Sequence, residues 1–523
     1  MHLGSRPRTL VLAALCLTLL AACTVVVPDG RAGSNGPRRS GRGGLASTIQ
    51  WRPCHTSFQC GDLEVPLDWF GDRGTTIDLA LIRKPASGRD PIGSLLLNPG
   101  GPGAPGVGFL VDLVASGGVP KTVLDRFDLV SWDPRGTGES SGVACLTTAE
   151  LLEAEPLPYP PSEAERRKVA RKDDALTARC LREDGKVIPY VGTRQTVHDL
   201  DAIRAALGDE RLNYVGFSYG TAIGLEYLAA FGSHVRAMVL DGIDLPGTDP
   251  LATNKAQIRS FEDNLDRFLA DCAADADCEF GGGHPRKALE SLLAKLATGA
   301  RLPGDYSLPD DHGKTHRRPG TVGYGEALGG IIAALYSEDT WSILRTALAD
   351  AARTTDPDGS YLLMLRDLLA GREIDGTWNH LAEANTAIGC ADQTERATSE
   401  FGDPRLMAEW GRDFPILGAS GAVGQPGCYG WPAAKYPLDA LSKASLAAAP
   451  EVVLVNSRHD PATPYANAVQ AHRLLPNSRL VTWEGSDHTS AFGGHGCIDD
   501  AVVSYLVSGR LPRANLSCPD SRG

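Results

Sequence analysis

Short apolar runs that break at turn residues recur along the first half of this chain and again near its C-terminus. They lie near 61–67, 77–83, 94–98 (SLLLN), 127–132 (FDLVSW), 212–217 (LNYVGF), 235–241 (VRAMVLD), 451–456 (EVVLVN) and 479–483 (RLVTW). Ile77, Leu79 and Leu81 alternate along one run. Continuous apolar runs suit strands buried on both faces of a parallel sheet. Between two of them, Val197, Leu200, Ile203 and Leu207 fall at helical spacing ahead of Gly208. From about 246 the strand rhythm gives way to helical stretches such as 255–272, 286–297, 324–336 and 340–352, and it resumes at Glu451. The pattern predicts an α/β protein with a mostly parallel eight-stranded sheet built from 47–245 and 446–523. A large helical cap, 246–445, is inserted between the sixth and seventh strands. No repeat of fixed period is present.

The length of 523 residues fits that division, because a single core stops growing at roughly 250–300 residues. Hydrophobic residues make up 42% and charged residues 22%, as in ordinary soluble proteins. With 64 acidic against 51 basic side chains the formal charge is −13, which argues against a nucleic-acid partner. The N-terminus reads differently. Arg6 and Arg8 precede an apolar stretch, Leu10 to Leu20, which closes on Leu20-Ala21-Ala22-Cys23. The stretch is shorter than the roughly 20 residues that span a bilayer, and its layout is that of an export signal, 1–22. Leu-Ala-Ala-Cys also resembles a bacterial lipobox, which would make Cys23 a lipidation site and the lipid anchor the chain's contact with the membrane. A plain secretory signal is the alternative. Residues 23–46, rich in Gly, Arg, Ser and Pro, read as a flexible tether.

Setting aside Cys16 and Cys23, ten of the 12 cysteines remain. An even number in an exported chain implies disulfides, and none stands in Cys-x-x-Cys spacing. Pairing neighbours in sequence gives 54–60, 145–180, 272–278, 390–428 and 497–518, one of many possible connectivities.

The chemistry begins at Tyr214-Val215-Gly216-Phe217-Ser218-Tyr219-Gly220, a strand running into Gly-x-Ser-x-Gly and then a helical TAIGLEYLAA. In that context the motif reads as a nucleophile elbow, with Ser218 at its tip. A serine needs a base, and the base an orienting acid. Asp460 follows the seventh strand in SRHDPATP, and His488 follows the eighth in EGSDHTS. Both then sit at the carboxyl edge of the sheet beside Ser218. Asp241 competes for the acid and His495 for the base; His459 and His472 have plainer readings, as a loop neighbour and a surface helix residue. An oxyanion hole needs backbone amides. The amide of Tyr219 is one candidate, and Gly101, with Gly100 close behind, supplies the other from Asn98-Pro99-Gly100-Gly101-Pro102-Gly103.

These residues resemble a family. NPGGPG, DPRGTGES (133–140), GFSYGT, HDPATP and DHTS look like the secreted tripeptidyl aminopeptidases of actinomycetes, which are α/β-hydrolases similar to prolyl aminopeptidases. The resemblance runs from about residue 50 to the C-terminus and thins in the cap, where AIGCAD (387–392) stands out. It implies an α/β-hydrolase fold, Ser218 as nucleophile, Asp460 as orienting acid and His488 as base. It also implies release of short peptides, tripeptides in particular, and no metal or organic cofactor. DPRGTGES reads as a structural loop beside the site. An exopeptidase must hold an α-ammonium with a carboxylate, for which Asp392 or a neighbour such as Glu383 is the candidate; the plainer reading of Asp392 is a solvated or helix-capping acid. The same triad would serve a carboxylesterase or lipase. Outside enzymes, a solute-binding lipoprotein receptor is the alternative, though it has no need of three catalytic residues at three strand ends.

Overall fold

The computed structural model describes residues 38–39, 48–147, 159–310, 313–394, 402–423, 428 and 430–520. The export signal 1–22, Cys23 and, apart from Arg38 and Arg39, the tether 23–46 lie outside the described residues. The strands are β1 Arg38–Arg39, β2 Arg52–Cys54, β3 Phe58–Pro66, β4 Thr75–Lys84, β5 Gly93–Asn98, β6 Phe127–Trp132, β7 Leu212–Phe217, β8 Val235–Asp241, β9 Leu302–Pro309, β10 Thr315–Val322, β11 Val453–Ser457, β12 Arg479–Trp483 and β13 Leu516–Cys518.

Eleven of them form one sheet in the order β13-β12-β11-β8-β7-β5-β6-β4-β3-β2, with β1 on β4. From β6 to β13 all neighbours run parallel, while β2, β3, β4 and β6 pair antiparallel. The eight apolar runs of the sequence all form strands of this sheet. The expectation of eight strands is corrected by β1, β2 and β13, which have two or three residues each and are too short to show a hydrophobic pattern.

Buried side chains alternate along the strands because successive residues of a strand point to opposite faces. Leu96, Tyr214, Met238, Leu240 and Leu454 join one core cluster. Leu95, Leu97, Val215, Val239, Val453 and Val455 join the other, on the opposite face. The chain leaves β5 to form β6 on one side and returns to form β7 on the other. Such a reversal opens a crevice at the carboxyl ends of the two strands, the usual place for a ligand in an open α/β sheet.

Between β8 and β11 lie helices including Pro250–Ala274, Pro285–Ala297, Tyr324–Leu335, Trp341–Ala351, Ser360–Leu369 and Leu381–Asp392, and they build a core of their own around Phe261, Leu265, Phe268 and Ile331. The insertion is not purely helical. β9 and β10 make an antiparallel hairpin there. Its signal in sequence is weak because Pro and Gly interrupt both strands and one face is exposed. Gly304 pairs with Gly320, and the bare backbone at this pair leaves room for Leu363. A second element without an apolar stripe is the helix Glu163–Glu183, of which only Thr177 and Cys180 are buried. A Ser162/Glu165 capping box and the Cys145–Cys180 disulfide hold it. The five disulfides among the described residues join cysteines adjacent in sequence: 54–60, 145–180, 272–278, 390–428 and 497–518.

Candidate active site

Ser218 follows β7 and precedes the helix Tyr219–Phe231, with φ 55° and ψ −128°. A left-handed, strained backbone at a serine persists only where the surroundings over-determine it. Here they do. The Ser218 amide donates to the Asp241 carbonyl at 2.9 Å, and Thr221 Oγ1 donates to the Ser218 carbonyl at 2.6 Å. A Cβ on Gly216 would lie 2.4 Å from the Gly220 carbonyl oxygen, and one on Gly220 would lie 2.8 Å from the Asn98 carbonyl oxygen, so the first glycine lets strand and helix close and the second lets the helix close on β5. The β5 loop packs against the same corner. A Cβ on Gly100 would fall 2.9 Å from both Ser218 Cβ and the Tyr219 nitrogen. The Gly100 amide donates to Asn98 Oδ1 at 3.0 Å, turned back into its own loop, which removes it as an oxyanion donor.

His488 lies in the loop after β12 and Asp460 in the loop after β11; both are buried. His488 Nδ1 sits 2.9 Å and 3.2 Å from the two Asp460 oxygens. Asp460 Oδ1 also accepts from the Ala462 and Thr463 amides at 2.9 and 2.8 Å. Thr463 Oγ1 donates to Oδ2 at 2.8 Å and lies 3.5 Å from His488 Nδ1. Burial opposes charge on the His488 ring, but the carboxylates of Asp460, Asp241 and Asp244 outweigh it and raise its pKa above 6.5. The acid–ring pair and the serine on its strained turn thus follow three parallel strands, β11, β12 and β7, at the carboxyl edge of one sheet, the placement that covalent acyl transfer requires.

Comparison with known proteins places the chain in a family. Residues 93–363 match the model of the alpha/beta hydrolase fold, and residues 415–518 match that of TAP-like proteins. Serine protease Hip1 of Mycobacterium tuberculosis is 35% identical over 97% of this chain and 96% of its own length. Carboxylesterase B of the same species is 34% identical, covering 88% of this chain and 86% of its own. The tripeptidyl aminopeptidase of Streptomyces lividans is 30% identical, covering 90% and 86%. The chain belongs to the α/β-hydrolase family. It is a serine hydrolase of the TAP-like group, an enzyme rather than a solute receptor.

The remaining candidates of this hydrolase fall into place around that centre. Asp241 gives one oxygen to the Ser490 and Ala491 amides, both at 2.7 Å, and so shapes the loop after His488. Burial pushes its carboxyl up to about 7. His495 stacks on Trp483 with ring centres 4.0 Å apart. His472 bonds Ser478 Oγ. The DPRGTGES loop is structural. Arg135, wholly buried, grips Asp199 through two 2.6 Å bonds and also donates to the Pro66, Leu67 and Tyr190 carbonyls. Asp133 accepts from the Val107 and Glu139 amides.

The cap helix Leu381–Asp392 reaches the loop after β5. Asn385 Nδ2 donates to the Pro102 carbonyl at 3.0 Å, and Gly103 leaves no room for a Cβ against Ala384 and Asn385. Glu383, in the first turn of this helix, is 6% exposed. Its Oε1 accepts from the Leu146 amide and His380 Nδ1, while Oε2 has no hydrogen-bond partner among the described residues. Asp392, at the far end, turns both oxygens to Thr193.

Two contacts went unread in the sequence. Thr463 stands beside Asp460 in the motif HDPATP, where an Asp followed by a threonine three residues on marks a side-chain-bonded turn. Tyr336, at the end of a cap helix, accepts the His488 amide on its carbonyl at 2.7 Å and sets its ring edge-on to the imidazole. Nothing local connects the two residues.

Proposed function

We propose that this hydrolase is an exported serine exopeptidase that releases short peptides, tripeptides in particular, from the free N-terminus of its substrates. Ser218 is the nucleophile. Asp460 holds the proton on His488 Nδ1, which leaves Nε2 to take the Ser218 proton as Oγ attacks the scissile carbonyl. The Tyr219 and Gly101 amides receive the oxyanion; as the first residue of its helix, Tyr219 carries an amide with no partner in a preceding turn. His488 then protonates the leaving amine, and water, deprotonated by the same ring, releases the acyl group. No step calls for a metal or an organic cofactor. Export accords with the N-terminal segment and with five disulfides, which persist in oxidising compartments.

The observation that carries the exopeptidase reading is the unpartnered Glu383 Oε2, nine-tenths buried on the cap helix whose Asn385 bonds the loop after β5. A carboxylate oxygen so placed is costly to bury unless a cation meets it, and the substrate's α-ammonium is that cation. Asp392, its two oxygens already in use, is the weaker candidate. The relative named for carboxylesterase activity favours a second reading, in which esters are the main substrates.

The test is a panel of tripeptide anilides with free and acetylated N-termini, set beside simple esters. The free peptides are expected to be cleaved far faster than the acetylated ones. Glu383→Gln is expected to raise KM for free peptides while leaving ester hydrolysis intact. Equal rates on free and acetylated peptides would turn the assignment to an endopeptidase or esterase.

A further inference from the structure

The phenol of Tyr219 is tied to the cap. Its OH meets Thr193 Oγ1 in a short hydrogen bond. Thr193 Oγ1 lies 2.6 Å from Asp392 Oδ2, and the Thr193 amide donates to Asp392 Oδ1 at 2.7 Å. The single Thr193 hydroxyl proton goes to the carboxylate, so the bond to Tyr219 is made by the phenol donating. Burial, with the Asp392 carboxylate beside it, raises the Tyr219 pKa well above that of an ordinary tyrosine and keeps that donor protonated. Thr193 is completely buried and Tyr219 nearly so.

Asp392 thereby does what no residue at the start of the helix Thr193–Ala206 does. Gly192 occupies the N-cap and has no side chain to offer; a Cβ there would lie 2.8 Å from Asp392 Oδ1. A carboxylate at a helix N-terminus accepts an orphan amide and meets the positive end of the helix dipole. Three elements therefore converge on one knot: the C-terminal end of Leu381–Asp392, the N-terminus of Thr193–Ala206, and the first residue after the nucleophile. The cap side of the knot is fixed twice more, by Cys390–Cys428 and by the Leu438 amide donating to the Asp392 carbonyl at 2.8 Å.

We propose that Asp392 and Thr193 are positioning residues for the oxyanion hole, holding Tyr219 by its phenol so that its amide stays aimed at the developing charge. The inference rests on the assignment of Ser218 and Tyr219 above. An oxyanion donor acts only when it is in place before the charge forms. The elbow is strained at Ser218 and tends to relax unless held. The glycine contacts hold it from the sheet side, and the Thr193–Asp392 bonds hold it from the cap side. A role in positioning the donor affects every acyl substrate alike, whereas an amine-binding role affects only free peptides.

Thr193→Val, Asp392→Ala and Asp392→Asn decide between these. Each is compared with the unaltered enzyme on p-nitrophenyl butyrate, on a free tripeptide anilide, and in its labelling rate by a fluorophosphonate. Thr193→Val and Asp392→Ala are expected to lower kcat about tenfold on both substrates with KM unchanged, a loss in keeping with a small displacement of a catalytic group. Fluorophosphonate labelling is expected to slow in parallel. Asp392→Asn retains an acceptor for the Thr193 amide and is expected to recover most of the loss. A rise in KM confined to the free peptide, or unchanged kcat in Thr193→Val, overturns the proposal. Thr193→Val changes no buried charge and keeps the test open should Asp392→Ala fail to fold. Labelling of the unaltered enzyme at Ser218 separates the two levels: with that label present, a negative result defeats only the positioning role, and without it the catalytic assignment itself falls.

Discussion

The two sides of the active site are held in place by different means. The Ser218 side is built mainly from the sheet, by a glycine pair at Gly216 and Gly220, Gly100 from the adjacent strand's loop and the Asp241 carbonyl, with one tie to the cap through Tyr219, Thr193 and Asp392. The His488 side leans on the cap. Tyr336 accepts the His488 amide, Ser337 Oγ donates to Asp487 at 2.7 Å, Arg267 donates to Ser486 Oγ, and Asn264 Nδ2 donates to the His459 carbonyl at 2.6 Å. A nucleophile elbow is a local solution to a local problem, whereas the base sits on a long loop that needs partners from elsewhere. The cap is therefore part of the catalytic frame as well as a cover over it.

The largest effect expected is on the sheet-built side. Ser218→Ala should reduce turnover on the order of 10⁴–10⁶-fold with no change in melting temperature; a variant that still turns over would dissolve the comparison altogether. Next comes the acid. Asp460→Asn should cost about 10⁴-fold in kcat. Because the base works only as neutral imidazole, activity of the unaltered enzyme should fall as pH drops through the raised His488 pKa, above 6.5. That acidic limb should move downward in any Asp460→Asn activity that remains, since the largest raising influence is gone; a stationary limb in the pH–rate profile would exclude His488 as the base.

The sheet-built side also depends on the buried Arg135–Asp199 pair for its support. Arg135→Met should destabilise the fold by about 3–5 kcal/mol in denaturant unfolding, because it leaves Asp199 buried and unpaired. On the cap-built side, Ser337→Ala removes one hydroxyl bond to the His488 loop. We expect about 1 kcal/mol of lost support, read as a several-fold drop in kcat with little change in KM. No change in kcat would mean that the cap does not steady the base.

A further effect is spread over both sides. Burial raises Asp241, Asp392 and Glu226 to about 7, and Asp133 and Asp244 to about 6. In the unfolded chain these acids titrate near 4. Between those values the folded state binds more protons, so their stabilising contribution is full below about pH 4 and is lost as pH rises through 6–7. Unfolding midpoints should therefore be higher at pH 5.5 than at pH 8, and neutralising Asp241 as Asn should flatten that slope.

Much of this was legible along the chain. The eight apolar runs, the elbow at Ser218, Asp460 and His488 at later strand ends, and the glycine-rich loop before Gly101 all depend on short-range chemistry: strand burial, tight turns and the need for bare backbone. The pairing of cysteines was one of many connectivities open in the sequence, and the structure selects the one that joins sequence neighbours. What escaped was long-range or polar. The hairpin β9–β10 hides behind prolines and glycines, of which Gly304 and Gly320 make room for Leu363. The helix Glu163–Glu183 buries too little for a hydrophobic stripe to form. Glu383 and Asp392 stand nine residues apart on one helix as similar acids, and nothing beside them in sequence says which is occupied. That was decided by Thr193 and Leu146, some two hundred residues earlier in the chain, which packing brings to one carboxylate on both oxygens and to the other on only one.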